Sequence, residues 1–184
     1  DDGGSPVITG YARHYAELAE KIRTAINDKF LDPDTGIYAD GMQTSLSMPL
    51  CFGVVPDDAR AKVAARLAEM VRTNGYHIDA GVHGAKYVPN ALAMNGYIDE
   101  AYRMAVQDTY PSWGWWIVNG KTTFTENWDV EACRDMSDNH IMYGDIAAWF
   151  YRWLGGILPD PDNPGFKRVV LKPGFPEGLD SFSC

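Results

Sequence analysis

Cysteine is scarce and poorly placed for bonding: Cys51, Cys133 and Cys184 are the three in the chain, far apart and without a CxxC pair. An odd, dispersed set excludes a disulfide framework and a zinc-finger spacing, and the thiols read as buried core groups. Basic charge is also short. The chain has 16 Lys and Arg against 25 Asp and Glu, a net charge of -9. With no basic cluster to neutralise phosphates, no nucleic-acid partner is expected, and no anionic membrane surface either. No apolar run approaches the ~20 residues that cross a bilayer. The opening DDGGSPVITG lacks the basic start and apolar stretch of a secretory leader, which leaves the compartment open if more chain precedes it. No GxGxxG or Walker pattern offers a phosphate cradle; Gly144, Gly155 and Gly156 read as turn or close-packing residues. His77 and His83 have no acidic partner at ligand spacing, so no metal and no other cofactor is expected.

What is present is apolar and aromatic. Hydrophobic residues make up 46% of the 184 and charged residues 22%, enough for a real core and too little charge for global disorder. Six Trp, 10 Tyr and 7 Phe supply flat faces with polar edges, which suit both a core and the C–H faces of sugar rings.

Helical periodicity dominates. Tyr11, Tyr15, Leu18, Ile22, Ala25 and Ile26 recur at spacings of three and four, with Glu17, Glu20, Lys21 and Arg23 on the other face. The turn LDPDTGIYADG ends this helix. Further helices are expected over residues 44–52, from Pro56-Asp57-Asp58 through Val63, Leu67, Met70 and Val71, over 87–94, and from a cap at Asp99 through Ala105. An aromatic segment, a long loop over 119–139 and a last helix over 143–154 follow. FKRVVLKPGF then alternates and reads as one strand beginning near Lys167. The fold class is therefore all-α in the main, with a short β segment at the end. Six or seven helices joined by short turns suit an arc of helical hairpins. A closed ring of six hairpins, at roughly 25–30 residues each, needs far more chain than this. An open arc leaves apolar flanks that need cover, so the isolated chain is expected to associate.

The residues best equipped for chemistry lie in YPSWGWWIVNGKTTFTENWD and RDMSDNHIMYGD. Here Glu126 and His140 sit among Trp113, Trp115, Trp116 and Trp128, with Asp129, Asp135 and Asp138 close in sequence. A carboxylate among aromatic rings is the usual furniture of a sugar pocket. Trp113 and Trp128 are the candidate pocket walls. One of Trp115 and Trp116 should face the core, and Trp149 with Trp153 should pack the last helix. Tyr110, Tyr143 and Tyr151 read as packing residues. Asp129 reads as an N-cap or hydrogen-bonding residue, though it could share the site, and Asp135 and Asp138 either line the pocket mouth or form a solvated face.

Gly41-Met42-Gln43-Thr44, LCFGVVPDDAR, GAKYVPNALAMNGYIDEAYRMA, YPSWGWW, TTFTENWD, SDNHIMYGDIAAWFYRWLGGI and FKRVVLKP follow one another in order. Together they resemble the α-L-rhamnosidase family, glycoside hydrolase family 78, over nearly the whole chain. The resemblance implies the C-terminal half of an (α/α)6 barrel over residues 1–158, and a linker with the first strand of a β-sandwich over 159–184. It implies inverting hydrolysis of terminal α-L-rhamnose from a rhamnosylated glycoside or polysaccharide. The Glu of the TT-x-x-E-x-W-D motif, the family's general base, falls on Glu126; the His of the NH motif, which contacts sugar, falls on His140. The acid lies in the N-terminal half of the barrel, which has no counterpart here and becomes an implied partner. Another inverting six-hairpin glycosidase, a non-catalytic sugar-binding or scaffold remnant, and a functionless truncation are the alternatives.

Overall fold

The structure, a computed structural model, describes residues 6–132 and 137–184, so Cys133 and Asp135 lie outside the described residues. Seven α-helices carry the fold: α1 Pro6–Phe30, α2 Gln43–Cys51, α3 Asp57–Thr73, α4 Val82–Met94, α5 Ile98–Ala105, α6 Trp113–Val118 and α7 Asp145–Trp149. A 3-10 turn, Ile141–Gly144, leads into α7, and a π-helical turn, Phe150–Leu154, extends it. Two small antiparallel hairpins complete the chain. β1 Leu31–Asp32 pairs with β2 Ile37–Tyr38, and β3 Ile157–Pro159 pairs with β4 Val169–Leu171. Among the described residues no helix is long and apolar enough to cross a membrane.

The core runs along α2, α3, α4 and α5 and ends on α7. α2 lies against α3 and most extensively against α4, which in turn meets α5 and α7. α3 follows Pro56 at its N-cap position, with Asp57 and Asp58 in its first turn, where carboxylates face the positive end of the helix dipole. Its expected stripe is buried at Val63, Leu67 and Val71, with Met70 half-buried beside them. A carboxylate–guanidinium pair, Glu100 with Arg72, ties α5 to α3.

Helix boundaries moved where a glycine or an aromatic has a packing job. α4 starts at Val82, five residues before the position expected from periodicity, because Gly84 sits inside the helix and not in a loop. A Cβ at Gly84 would collide with Thr44 Oγ1 and Ala80 Cβ, so the glycine is what lets α4 approach α2. α6 is a helix within what reads as an aromatic segment. Ser112 caps it by accepting from the Trp115 backbone N–H at 2.9 Å, and Gly114 gives way to the Gln107 carbonyl. α5 begins two residues earlier than a cap at Asp99 implies, with Tyr97 at the cap position. Asp99 stands in its first turn and accepts from the Glu177 backbone N–H at 2.7 Å, holding the C-terminal segment on the helices.

Three expectations about burial fail. Tyr110 and Tyr151 are exposed, at 53% and 55%, while Tyr143 is buried as anticipated. Cys184 is exposed and Cys51 only partly buried; burial pushes the Cys51 thiol up to about 11. The stripe of α1 is the largest departure. Tyr11, Tyr15, Leu18 and Ile22 are exposed by 40% or more, and only Ile26 near its end packs on the core. The helix is amphipathic as its spacing demands, but no described element lies on its apolar face. α1 shares no substantial packing with α6 or α7, so the arc does not close on itself. At the far end β4 begins at Val169, two residues beyond the expected start. Gly156, at φ +66°, lets the backbone of Lys172 and Pro173 come close enough for the pairing.

One buried polar side chain links α4 to the last helix. Asn90 Oδ1 accepts from Trp153 Nε1 at 2.8 Å and from an Arg152 guanidinium N–H at 3.1 Å. Its amide donates to Asp145 Oδ2 at 2.9 Å and to the Lys86 carbonyl at 2.7 Å. Asn90→Leu would strand these partners and should cost roughly 2–4 kcal/mol, read as a lower denaturation midpoint in urea. Leu18→Lys with Ile22→Glu should act in the opposite sense on solution behaviour. Light scattering on the isolated chain should show self-association that these two substitutions reduce; an unmodified chain that elutes as a clean monomer contradicts the expectation.

Candidate active site

The loop after α6 folds back against the segment before α7. The Glu126 backbone N–H donates to the Ser137 carbonyl at 3.0 Å, and the His140 backbone N–H donates to the Phe124 carbonyl at 2.7 Å. Lys121 Nζ reaches Asp138 Oδ1 at 2.9 Å, and the Thr123 hydroxyl donates to the Asp138 carbonyl. Thr125 is fully buried and turns its hydroxyl to the Asn127 carbonyl at 2.6 Å. These bonds give an irregular loop a fixed course without a regular strand.

Glu126 emerges from this loop half-buried. Its Oε2 accepts from the Ser137 backbone N–H at 3.2 Å, and no bond from another described residue reaches Oε1. The carboxylate is therefore oriented through Oε2. It opens on a cleft of about 920 Å3. The near wall is Asn127, Trp128, Tyr143 and Tyr110; the far wall brings Asp40, Ser45, Asn74, His77 and Asp79 from the first half of the chain.

Beneath the loop lies an aromatic cluster. Trp116 and Trp128 stack at 4.6 Å with their planes 17° apart. Trp113 meets Trp128 edge-on at 5.2 Å, and Tyr143 meets Trp128 at 4.7 Å. Each of these indole N–H groups has a carbonyl: Trp113 on Tyr143 at 3.1 Å, Trp116 on Asn127 at 3.1 Å, Trp128 on Ala80 at 2.7 Å. Buried rings with satisfied N–H groups make a stiff floor.

The residues expected at a site are thus partly gathered. Glu126 and Trp128 share the cleft. Trp113 lies on the other side of the cluster, lining an apolar groove of about 590 Å3 beside α5, α6 and α7. His140 is half-buried on the loop, with its ring 5.9 Å from Tyr143. Asp129 accepts from the Glu131 backbone N–H at 2.9 Å, a turn-forming bond, and Asp138 is spent on Lys121. Trp116 is buried and Trp115 half-buried; Trp149 is fully buried and Trp153 half-buried.

The far wall was not anticipated from sequence. Asp40 sits in the turn between β2 and α2, and the Ser45 hydroxyl at 2.6 Å with the Met42 backbone N–H at 3.1 Å holds its carboxyl below the usual carboxylate range. His77 contacts the Asn74 carbonyl through Nδ1 at 3.2 Å and Thr109 Oγ1 through Nε2 at 2.7 Å, so its ring is engaged in the loop itself. Asp40 carried no spacing signal with His77 and Asp79 because it stands on a different turn, before α2. A GxQT motif and a histidine-containing loop were the only marks they left.

A carboxylate beside an aromatic cluster, at the edge of a cleft between helical hairpins and polar turns, thus stands in a mainly helical domain. The family follows from comparison: the chain belongs to the bacterial alpha-L-rhamnosidase 6 hairpin glycosidase domain family, whose model matches residues 8–154. An alpha-L-rhamnosidase of Streptomyces avermitilis is 31% identical over 169 residues, covering 88% of this chain and 16% of its own length. One from an Alteromonas species is 28% identical, covering 91% of this chain and 20% of its own. Among solved structures, the Streptomyces avermitilis enzyme complexed with L-rhamnose superposes with a TM-score of 0.80 at 32% identity, over 88% of this chain and 16% of that one. The Dictyoglumus thermophilum alpha-L-rhamnosidase gives 0.79 at 36%, over 88% and 18%. The chain therefore spans about a fifth or less of the length of these relatives, in keeping with an arc of hairpins that does not close.

The floor should be essential to the fold of this region. Trp116→Ala removes a ring 2% exposed and should cost about 3–5 kcal/mol, seen as a lowered midpoint in denaturant together with loss of the near-ultraviolet tryptophan dichroism.

Proposed function

We propose that this chain supplies the general-base side of an inverting α-L-rhamnosidase, with residues 1–158 as part of its helical barrel and 159–184 as the approach to a following β domain. The hairpin of β3 and β4 joins the two portions. The observation that carries the reading is Glu126: a carboxylate anchored through Oε2, with no bond from another described residue at Oε1, on the edge of the cleft, in a chain of rhamnosidase family.

Inversion needs a carboxylate that takes a proton from water while a carboxylic acid, on the opposite side of the sugar, protonates the departing oxygen. The two carboxyl groups stand about 6.5–9.5 Å apart to leave room for that water. Glu126 Oε1 receives the proton as the water oxygen bonds to the anomeric carbon. The bond from that carbon to the leaving oxygen breaks on the opposite face, and its electron pair stays with the leaving group. The acid that completes the pair belongs to the N-terminal part of the barrel. Trp128 offers an apolar surface to the ring at the cleft, Trp113 backs it from beneath, and His140 contacts a sugar hydroxyl. The bound molecule is a glycoside or polysaccharide ending in α-L-rhamnose.

Expressed from the complete reading frame that contains this chain, Glu126→Gln should lower kcat by about 100-fold or more, over ~2.7 kcal/mol of barrier. KM should move little, because glutamine keeps the shape and loses only the ability to take the proton. His140→Ala should chiefly raise KM. Proton NMR during early hydrolysis of an α-linked substrate should show β-L-rhamnose first. Early α product means retention and removes the base assignment. Saccharide binding without turnover in the complete native protein points instead to a non-catalytic module.

A further inference from the structure

Gln43 is completely buried at the start of α2, and nothing in the proposed reaction uses it. Its amide is satisfied at both ends by one short stretch of backbone. Nε2 donates to the His77 carbonyl at 3.0 Å, and Oε1 accepts from the Asp79 backbone N–H at 2.9 Å. A buried primary amide is costly unless both ends are bonded, and methionine would fill much the same space without that cost. What the amide adds is position. The Asn74 amide also donates to the His77 carbonyl, at 3.2 Å, so the bond to Asp79 N–H is the one that Gln43 alone supplies.

The residue after Asp79 carries the effect across the cleft. The Ala80 carbonyl accepts from Trp128 Nε1 at 2.7 Å. Trp128 stands two positions after Glu126 and is stacked on Trp116, whose own N–H holds the Asn127 carbonyl between them. Residues 77–80 thus form a strut. One end is fixed by Gln43 on α2, the other receives the indole that ends the Glu126 turn. Both bonds at the two ends are to backbone, so displacing the strut displaces the turn.

We propose that Gln43 is a positioning residue for Glu126, setting the carboxylate through the 77–80 strut and the Trp128 indole. The proposal rests on Glu126 acting as the general base. A displacement on the order of 1 Å at a reacting group is enough to lower a rate by orders of magnitude. Gln43 touches no substrate, so its loss appears in the chemical step and not in ground-state binding.

The test uses the protein from its complete reading frame, with turnover divided by the number of saccharide-binding sites so that misfolded molecules are not counted. Gln43→Met removes both bonds. Gln43→Glu keeps the acceptor for Asp79 N–H and sets an oxygen against the His77 carbonyl. Trp128→Phe cuts the far end of the strut by removing the indole N–H, and carries the test if the Gln43 variants do not fold. Each Gln43 substitution should lower kcat about 10-fold or more with KM within about twofold, and Trp128→Phe, which also alters the ring surface offered to the sugar, should lower kcat about 10-fold or more. Gln43→Glu combined with Trp128→Phe should lose less than the product of the single losses, because one linkage is cut twice. In a Glu126→Gln background the same substitutions should lower the residual kcat by less than about twofold, since there is no base left to misplace. A per-site kcat within about threefold of native in the foldable variants, or a loss that recurs in full without the base, overturns the proposal. Full turnover by Glu126→Gln itself overturns the base assignment beneath it, a result separable from failure of Gln43 alone.

Discussion

The approach of α2 to α4 is the contact on which the rest of the structure depends. It is possible only because position 84 has no side chain, Thr44 of α2 occupying the space where a Cβ would lie. That approach sets the first turn of α2 against the loop that enters α4. Gln43 can then reach the backbone at His77 and Asp79, and Ala80 can present its carbonyl to Trp128. The opposite side of α4 faces the last helix, where Asn90 collects four hydrogen bonds from and to α4 and the Asp145–Trp153 stretch. A dry core of alanine and valine, with Ala85, Val88 and Ala91 almost wholly buried, fills the space between. Such close-packed interiors leave little room for adjustment, so polar groups inside them are held where they are.

How much of this was legible in the sequence depended on the kind of signal each residue carries. The long helices were legible because their apolar residues repeat: Val63, Leu67 and Val71 lie on one face and are buried. The hairpin turn at 31–40 was legible from its Asp, Pro and Gly. α6 was not, since Trp113, Trp115, Trp116 and Ile117 have no polar face to give a period, and its start depends on a single serine cap. The early start of α4 was hidden by Gly81 and Gly84, which look like a loop and serve close packing. Glu126 and Trp128 were found together because they lie in one motif. Asp40 and Asp79 were not, because a cleft wall built from separate turns exists only after the helices have packed. Trp113 shows the limit of composition: a tryptophan near a carboxylate can equally be the floor under the pocket or its wall.

The α1 helix separates local from tertiary information in the same chain. Its periodicity is strong and its helix forms, yet Tyr11 and Tyr15 are each 62% exposed. A pattern states which face seeks burial and says nothing of what supplies the cover. The other end of the arc presents the same condition. Val106, Ile117 and Val118 are each exposed by more than half along the groove that Trp113 and Phe150 line. Monomeric proteins seldom leave two such surfaces to water.

These two flanks and the missing partner of Glu126 in the proposed reaction have a common remedy. Helical hairpins that closed the arc would lie on α1 at one end and on α6 at the other, and would bring their own residues to the open side of the cleft facing Glu126. Cover for the apolar surfaces and the second carboxyl group would arrive in one association. The free energy of that association comes mostly from apolar area, which is indifferent to angle, whereas the separation of the two carboxyl groups has to be correct to within a fraction of the space a water molecule needs. The angle must therefore be set by something directional within this chain. The Ser137 N–H on Glu126, the Ala80 carbonyl on Trp128 and the Gln43 amide beneath them are directional, short and internal, and they hold Glu126 in place without any neighbour. On the proposed reading, apolar flanks draw the barrel together, and the hydrogen-bonded strut sets where Glu126 stands once it has closed.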